Sequence, residues 1–118
     1  MDVFVPEISA KHAIDFPSPT VEPLDQNGHV RRVDIVSGLV NIVIGPVPHI
    51  QNGDLVTYTL RSSAGTWAGR RTVQDAAKPL HIGVQPVVSS PMHIRYIVER
   101  ADGTPVGKSS EATYQIVP

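Results

Sequence analysis

Eleven prolines and nine glycines cut this 118-residue chain into short segments. Proline removes a backbone donor and glycine loosens the backbone, so a long helix has no room between them. What lies between the breaks alternates. In "LVTYTLR" (55–61), Val56, Tyr58 and Leu60 fall on one face and Thr57, Thr59 and Arg61 on the other. "MHIRYIVER" (92–100) sets Ile94, Tyr96 and Val98 against His93, Arg95 and Glu99, and "PLHIGV" (79–84) aligns Leu80, Ile82 and Val84. "HVRRVDIV" (29–36) reads the same way, with Val33 and Ile35 opposite Arg32 and Asp34. "LVNIVIG" (39–45) is nearly continuous, "TWAGRRTVQ" (66–74) is a more polar strand, and "SEATYQIV" (110–117) closes the chain with Tyr114 and Ile116 on one side. A period of two with one apolar face predicts strands of an antiparallel sheet with one wet side.

The breaks between these runs are turn chemistry. "PVPHIQNGD" (46–54) joins two prolines to Asn-Gly-Asp, "SSAG" (62–65) is a small-residue turn, and Asp-Gly in "ADGTPVG" (101–107) marks a hairpin. Seven to eight strands at this spacing predict an all-β fold, an immunoglobulin-like antiparallel β-sandwich, with a small barrel as the rival. Residues 1–20, carrying Pro6, Pro17 and Pro19, read as an N-terminal arm or first edge strand, and residues 21–118 as the sandwich domain.

Composition narrows the function. The length suits one domain with a real core, and 41% hydrophobic residues argue against disorder. A net charge of −1 gives no general attraction to nucleic acid or to an anionic membrane. The absence of cysteine removes disulfides, thiolate zinc sites and cysteine nucleophiles. No apolar run is long enough for a signal peptide's core or for a membrane span. Location stays open between the cytoplasm and, for a piece of a larger or signal-less exported protein, the cell surface or extracellular space.

Candidate chemistry is sparse. His81 and His93 sit on runs expected to be near each other, both away from the apolar side, yet lack the further ligands a zinc site needs. The serines lie in turn-like pairs, without the Gly-x-Ser-x-Gly elbow of a hydrolase. Asp54 and Asp102 each stand beside a glycine in a loop, which suits a hard cation, but one acid per loop reads as turn chemistry. Arg31-Arg32 and Arg70-Arg71 are adjacent pairs whose members point to opposite faces of a strand, leaving Arg32 and Arg70 to share a surface. Trp67 is the single tryptophan. Aromatics are few and dominate small cores, so core or core edge is the expected place for it, with a sugar-stacking platform as the alternative. No metal, cofactor or catalytic residue is expected, and the ligand-binding candidates are Trp67, Arg70 and Arg32.

From Gly38 onward the chain resembles the immunoglobulin-like repeat of large bacterial surface and adhesin-type proteins, especially those of pseudomonads. The resemblance rests on "VNIVIGPVPHIQNGDLVTYTL", "KPLHIGV" and "IRYIVERADGTPVGKSSEATYQI", in that order and spacing. It implies a non-enzymatic structural or interaction module. A protein partner met through an edge strand or the N-terminal arm is the expectation, with a carbohydrate ligand held on Trp67 as the alternative.

Overall fold

The computed structural model describes residues 14–35, 39–47, 49–84 and 91–118. Eleven strands run through them in chain order: β1 Ile14–Phe16, β2 Thr20–Glu22, β3 Val30–Arg31, β4 Val40–Ile44, β5 Leu55–Ser62, β6 Gly65–Thr72, β7 Leu80–Val84, β8 Met92–Glu99, β9 Pro105–Ser109, β10 Ala112–Tyr114 and β11 Ile116–Val117. The chain is nearly all β, with more strands than the seven to eight expected. Five of them are only two or three residues long, because proline and turn residues interrupt the ladders near both ends of the chain.

The larger sheet has the order β1-β9-β8-β5-β6, with β10 also pairing β8. The smaller sheet is β2-β4-β7, and β11-β3 is a two-stranded pair. Among the described strand pairs only β1–β9 and β11–β3 are parallel. The sheets are open and do not close into the barrel considered as a rival.

One cluster joins the inward faces of the two main sheets. Val40, Ile42, Ile44, Ile82 and Val84 come from the smaller sheet, and Val56, Tyr58, Leu60, Ile94, Tyr96 and Val98 from the larger. Those from β5, β7 and β8 are the apolar faces of the alternating runs, while in the nearly continuous run of β4 it is Val40, Ile42 and Ile44 that turn inward. Each fully buried aliphatic side chain contributes roughly 1.5–3 kcal/mol of transfer free energy, so this seam dominates stability.

Two readings of alternation are corrected. Only Val30 and Arg31 of the 29–36 run form a strand; Arg32–Asp34 is a 3₁₀ turn, and Val33 is 70% exposed. The ladder stops where the backbone turns into the 3₁₀ segment directly after Arg31. The outward face of the larger sheet is also drier than its polar letters imply. Thr57 and Thr59 are buried there, as is Ile97 at 1% exposure. Ile97 sits in a cross-sheet row, Asp15–Lys108–Ile97–Thr57–Arg70, with Lys108 beside it on one side and Thr57, then Arg70, on the other.

The link between β1 and β2 carries the chain from the larger sheet to the smaller. Two tyrosines hold it: Tyr96 Oη donates to the Pro17 carbonyl at 2.8 Å, and Tyr114 Oη to that of Pro19 at 2.9 Å. Phe16 stacks on Tyr96 with ring centroids 6.1 Å apart. Of the arm expected over 1–20, residues 1–13 lie outside the described residues, while 14–16 and 20–22 pair as β1 and β2. Among the described residues no helix is long and apolar enough to cross a membrane.

Candidate binding surface

β6 forms an edge of the larger sheet. It pairs with β5 along its whole length, Leu55↔Thr72 to Ser62↔Gly65, and among the described residues nothing pairs with its other side. Register fixes where each side chain points. Trp67 stands opposite Leu60, Gly69 opposite Tyr58 and Arg71 opposite Val56, so these three share the core-facing side. Ala68 and Arg70 stand opposite Thr59 and Thr57 on the outer face. Trp67 is half-buried and packs against the core cluster from its edge. Arg70, Arg71 and Thr72 are all exposed, and Arg71 Nη1 donates to the Arg70 carbonyl at 3.0 Å.

Glycine is required at one point of this edge. A Cβ on Gly69 would lie 2.6 Å from Tyr58 Oη and 2.7 Å from Cε1. The Tyr58 ring therefore covers the backbone of the edge strand, an aromatic lying over an edge glycine. Sequence reading missed this contact. Alternation places Tyr58 inward but does not say that its ring turns across the neighbouring strand.

The three sequence-derived candidates do not converge. Trp67 and Arg70 share a strand but point to opposite faces. Arg32 lies in the 3₁₀ turn after β3, which pairs with β11 in a separate sheet. His81 and His93 do not meet either. His81 is on β7, opposite Val43 of the smaller sheet, and His93 is on β8, opposite Arg61 of the larger. They lie on strands of different sheets, each on the face away from the core cluster, so neither strand pairing nor the core brings them together. Each has a local partner: His81 Nδ1 is 3.9 Å from Glu22, and His93 Nδ1 is 2.9 Å from Thr113 Oγ1 and 3.7 Å from Glu111. Among the described residues no three His, Asp or Glu side chains gather as a metal would need.

At one pole of the core the strand ends splay around a hollow of about 210 Å³. Its walls include Ile44, Val47, Ile50, Val56, Val73 and Leu80. Residues 45–47 and 50 and residues 73–76, 78 and 79 border it, and Asp54 organises the first of these loops. Its Oδ2 accepts from Gln51 N at 2.8 Å and from Arg100 Nη1 at 2.6 Å, and Arg100 also donates to the His49 carbonyl at 3.1 Å. Asp54 is buried whereas the Arg100 side chain stays 31% exposed, so the carboxylate is enclosed and the guanidinium reaches solvent. The sequence marked Asp54 as turn chemistry, but nothing local signals a partner 46 residues away.

Two other loops use carboxylates as expected of turns. Asp25 Oδ1 accepts from the N–H of Asn27 and of His29 at 2.9 Å each, and the His29 bond chiefly holds its carboxyl below the usual range. Asp102 is likewise lowered, first by the Thr104 side chain and then by the Thr104 N–H at 2.9 Å. Burial acts the other way on Tyr96, whose phenol is pushed up to about 12, and it also raises Tyr114.

No family model, no curated protein and no solved structure matches this chain.

Proposed function

We propose that this chain is a non-enzymatic protein-interaction module with an immunoglobulin-like sandwich fold, and that it meets its partner along the open edge of β6. The strand arrangement supports the fold. β4 and β5 are consecutive yet lie in different sheets, as do β7 and β8, giving β2-β4-β7 facing β9-β8-β5-β6. Greek-key sandwiches connect their sheets in this way.

The observation that carries the function is the eight-residue β6, paired on one side only among the described residues. A free strand edge offers a row of backbone donors and acceptors to an extended partner segment. Arg70 and Arg71 keep two copies of this edge from pairing with each other, since like charges would meet. They favour instead a different protein. Chained in tandem, the same module would serve as the spacer that its resemblance to bacterial surface-protein repeats implies. The sugar platform is the weaker reading, because Trp67 lies on the core-facing side against the cluster.

The test places a photo-crosslinking amino acid at Arg70 in the cells that make the protein, and at exposed Thr20 as a control. A discrete protein adduct at position 70 and none at 20 is expected. Equal labelling at both, or none at 70, overturns the edge reading.

A further inference from the structure

The hollow at the pole of the core is distinct from the β6 edge. Its hydrocarbon walls come from the end of β4 (Ile44), the start of β5 (Val56), the residue after β6 (Val73) and the start of β7 (Leu80), with Val47 and Ile50 from the loop above. Protein interiors seldom leave apolar spaces larger than a water molecule, because side chains relax to fill them. This one is held open. Gly53 N donates to the Val73 carbonyl and Val73 N to that of Asp54, each at 2.8 Å, and Ala76 N donates to Asn52 Oδ1 at 2.7 Å. Those bonds tie the two loops to each other, and the Asp54–Arg100 pair anchors them to the end of β8. Gly45, at φ +79, turns the chain into this roof, where a Cβ would lie 2.9 Å from Val47 N.

The chemistry of the lining selects the occupant. The ionisable groups of the lining are Asp75 and Lys78, exposed side chains 3.9 Å apart whose opposite signs leave it no net charge. Asp75 is further engaged by the N–H of Ala77 at 3.0 Å. Among the described residues the buried side-chain oxygens without a hydrogen-bond partner, Thr57 and Thr59 Oγ1, lie on the opposite face of the sheet and do not line the hollow. An ordered water needs two to four polar partners, and the inner walls offer it none from their side chains. An apolar cavity of roughly 150 Å³ accepts a benzene ring. We propose that this pole is a binding site for a small, uncharged hydrocarbon molecule about the size of one substituted six-membered ring.

Titration of the methyl-labelled protein with toluene, and separately with benzoate, tests the site. Toluene produces saturable methyl shifts at Ile44, Val47, Ile50, Val56, Val73 and Leu80, and leaves Val21 and Ile116 unmoved. Benzoate binds at least about tenfold more weakly, because its charge finds no free partner. Ala76→Phe, which fills the mouth, lowers toluene affinity at least about tenfold, whereas Lys78→Gln changes it less than about twofold. Should Ala76→Phe fail to fold, the toluene and benzoate arms decide by themselves. The proposal is overturned by an absence of shifts at saturating toluene, by shifts spread evenly over the core, or by benzoate binding as well as toluene. It is equally overturned if N-acetylphenylalanine amide binds more tightly than toluene, which would assign the hollow to a side chain of a partner protein.

Discussion

The hydroxyl of Tyr96 donates to the carbonyl of Pro17, 79 residues away, at 2.8 Å. This bond fastens the crossing between the two sheets to the centre of β8, and Tyr114 repeats the arrangement at Pro19. Burial raises the Tyr96 phenol from 10.0 to about 12. Ionisation is therefore easier in the unfolded chain. The stability this represents is fully present below about pH 10 and is lost as pH rises through about 12, up to roughly 3 kcal/mol. Urea unfolding across that window follows the loss. Tyr96→Phe flattens the dependence and costs about 1 kcal/mol at neutral pH; an unchanged alkaline slope in that variant contradicts the assignment.

The Asp54–Arg100 pair predicts a large local effect. Asp54→Ala strands the guanidinium and the Gln51 N–H beneath the loops and costs roughly 3 kcal/mol, at the lower end of the range for broken buried pairs because Arg100 is partly exposed. Denaturant unfolding measures it, with amide exchange at 49–54 rising in parallel. A loss below about 1 kcal/mol would place the pair among ordinary surface bridges.

At the edge strand, Gly69→Val forces a side chain into the space of the Tyr58 ring. The expected cost is about 2 kcal/mol, typical of overpacking. Combining it with Tyr58→Ala recovers part of that cost, and the double-mutant cycle reads the coupling directly. Additive losses contradict the covering role of Tyr58.

Val33 offers the opposite case. Alternation assigns it to the core face, whereas it stands 70% exposed in the 3₁₀ turn. Val33→Thr changes stability by less than about 0.5 kcal/mol in thermal or urea melts. A cost of 1 kcal/mol or more would restore the strand reading of 29–36.

These contrasts mark what the sequence could convey. The inward faces of β5, β7 and β8 were legible because a period of two reports which side of a strand is apolar, and Val56, Leu60, Ile82, Ile94 and Val98 are buried as read. The same period misled at Val33, where a three-residue turn carries the chain without a ladder. It was silent on Thr57, Thr59 and Ile97, whose burial depends on neighbours from other strands. The hollow beneath the 45–54 loop left no trace in the sequence, since four separated strand ends create it. Trp67 at the edge of the core fits its place among few aromatics, while Arg70 and Arg32 could not be related before the sheets to which they belong were known.

The open edge of β6 is the premise on which the interaction reading rests, and residue-resolved amide hydrogen exchange of the protein alone tests it most directly. Alternate amides of Gly65–Thr72, those pointing away from β5, exchange rapidly, while β5 and β8 stay protected to near the global unfolding limit. Uniform protection along β6, matching β5, would mean that its outer side is already covered, and the edge could not receive a partner strand.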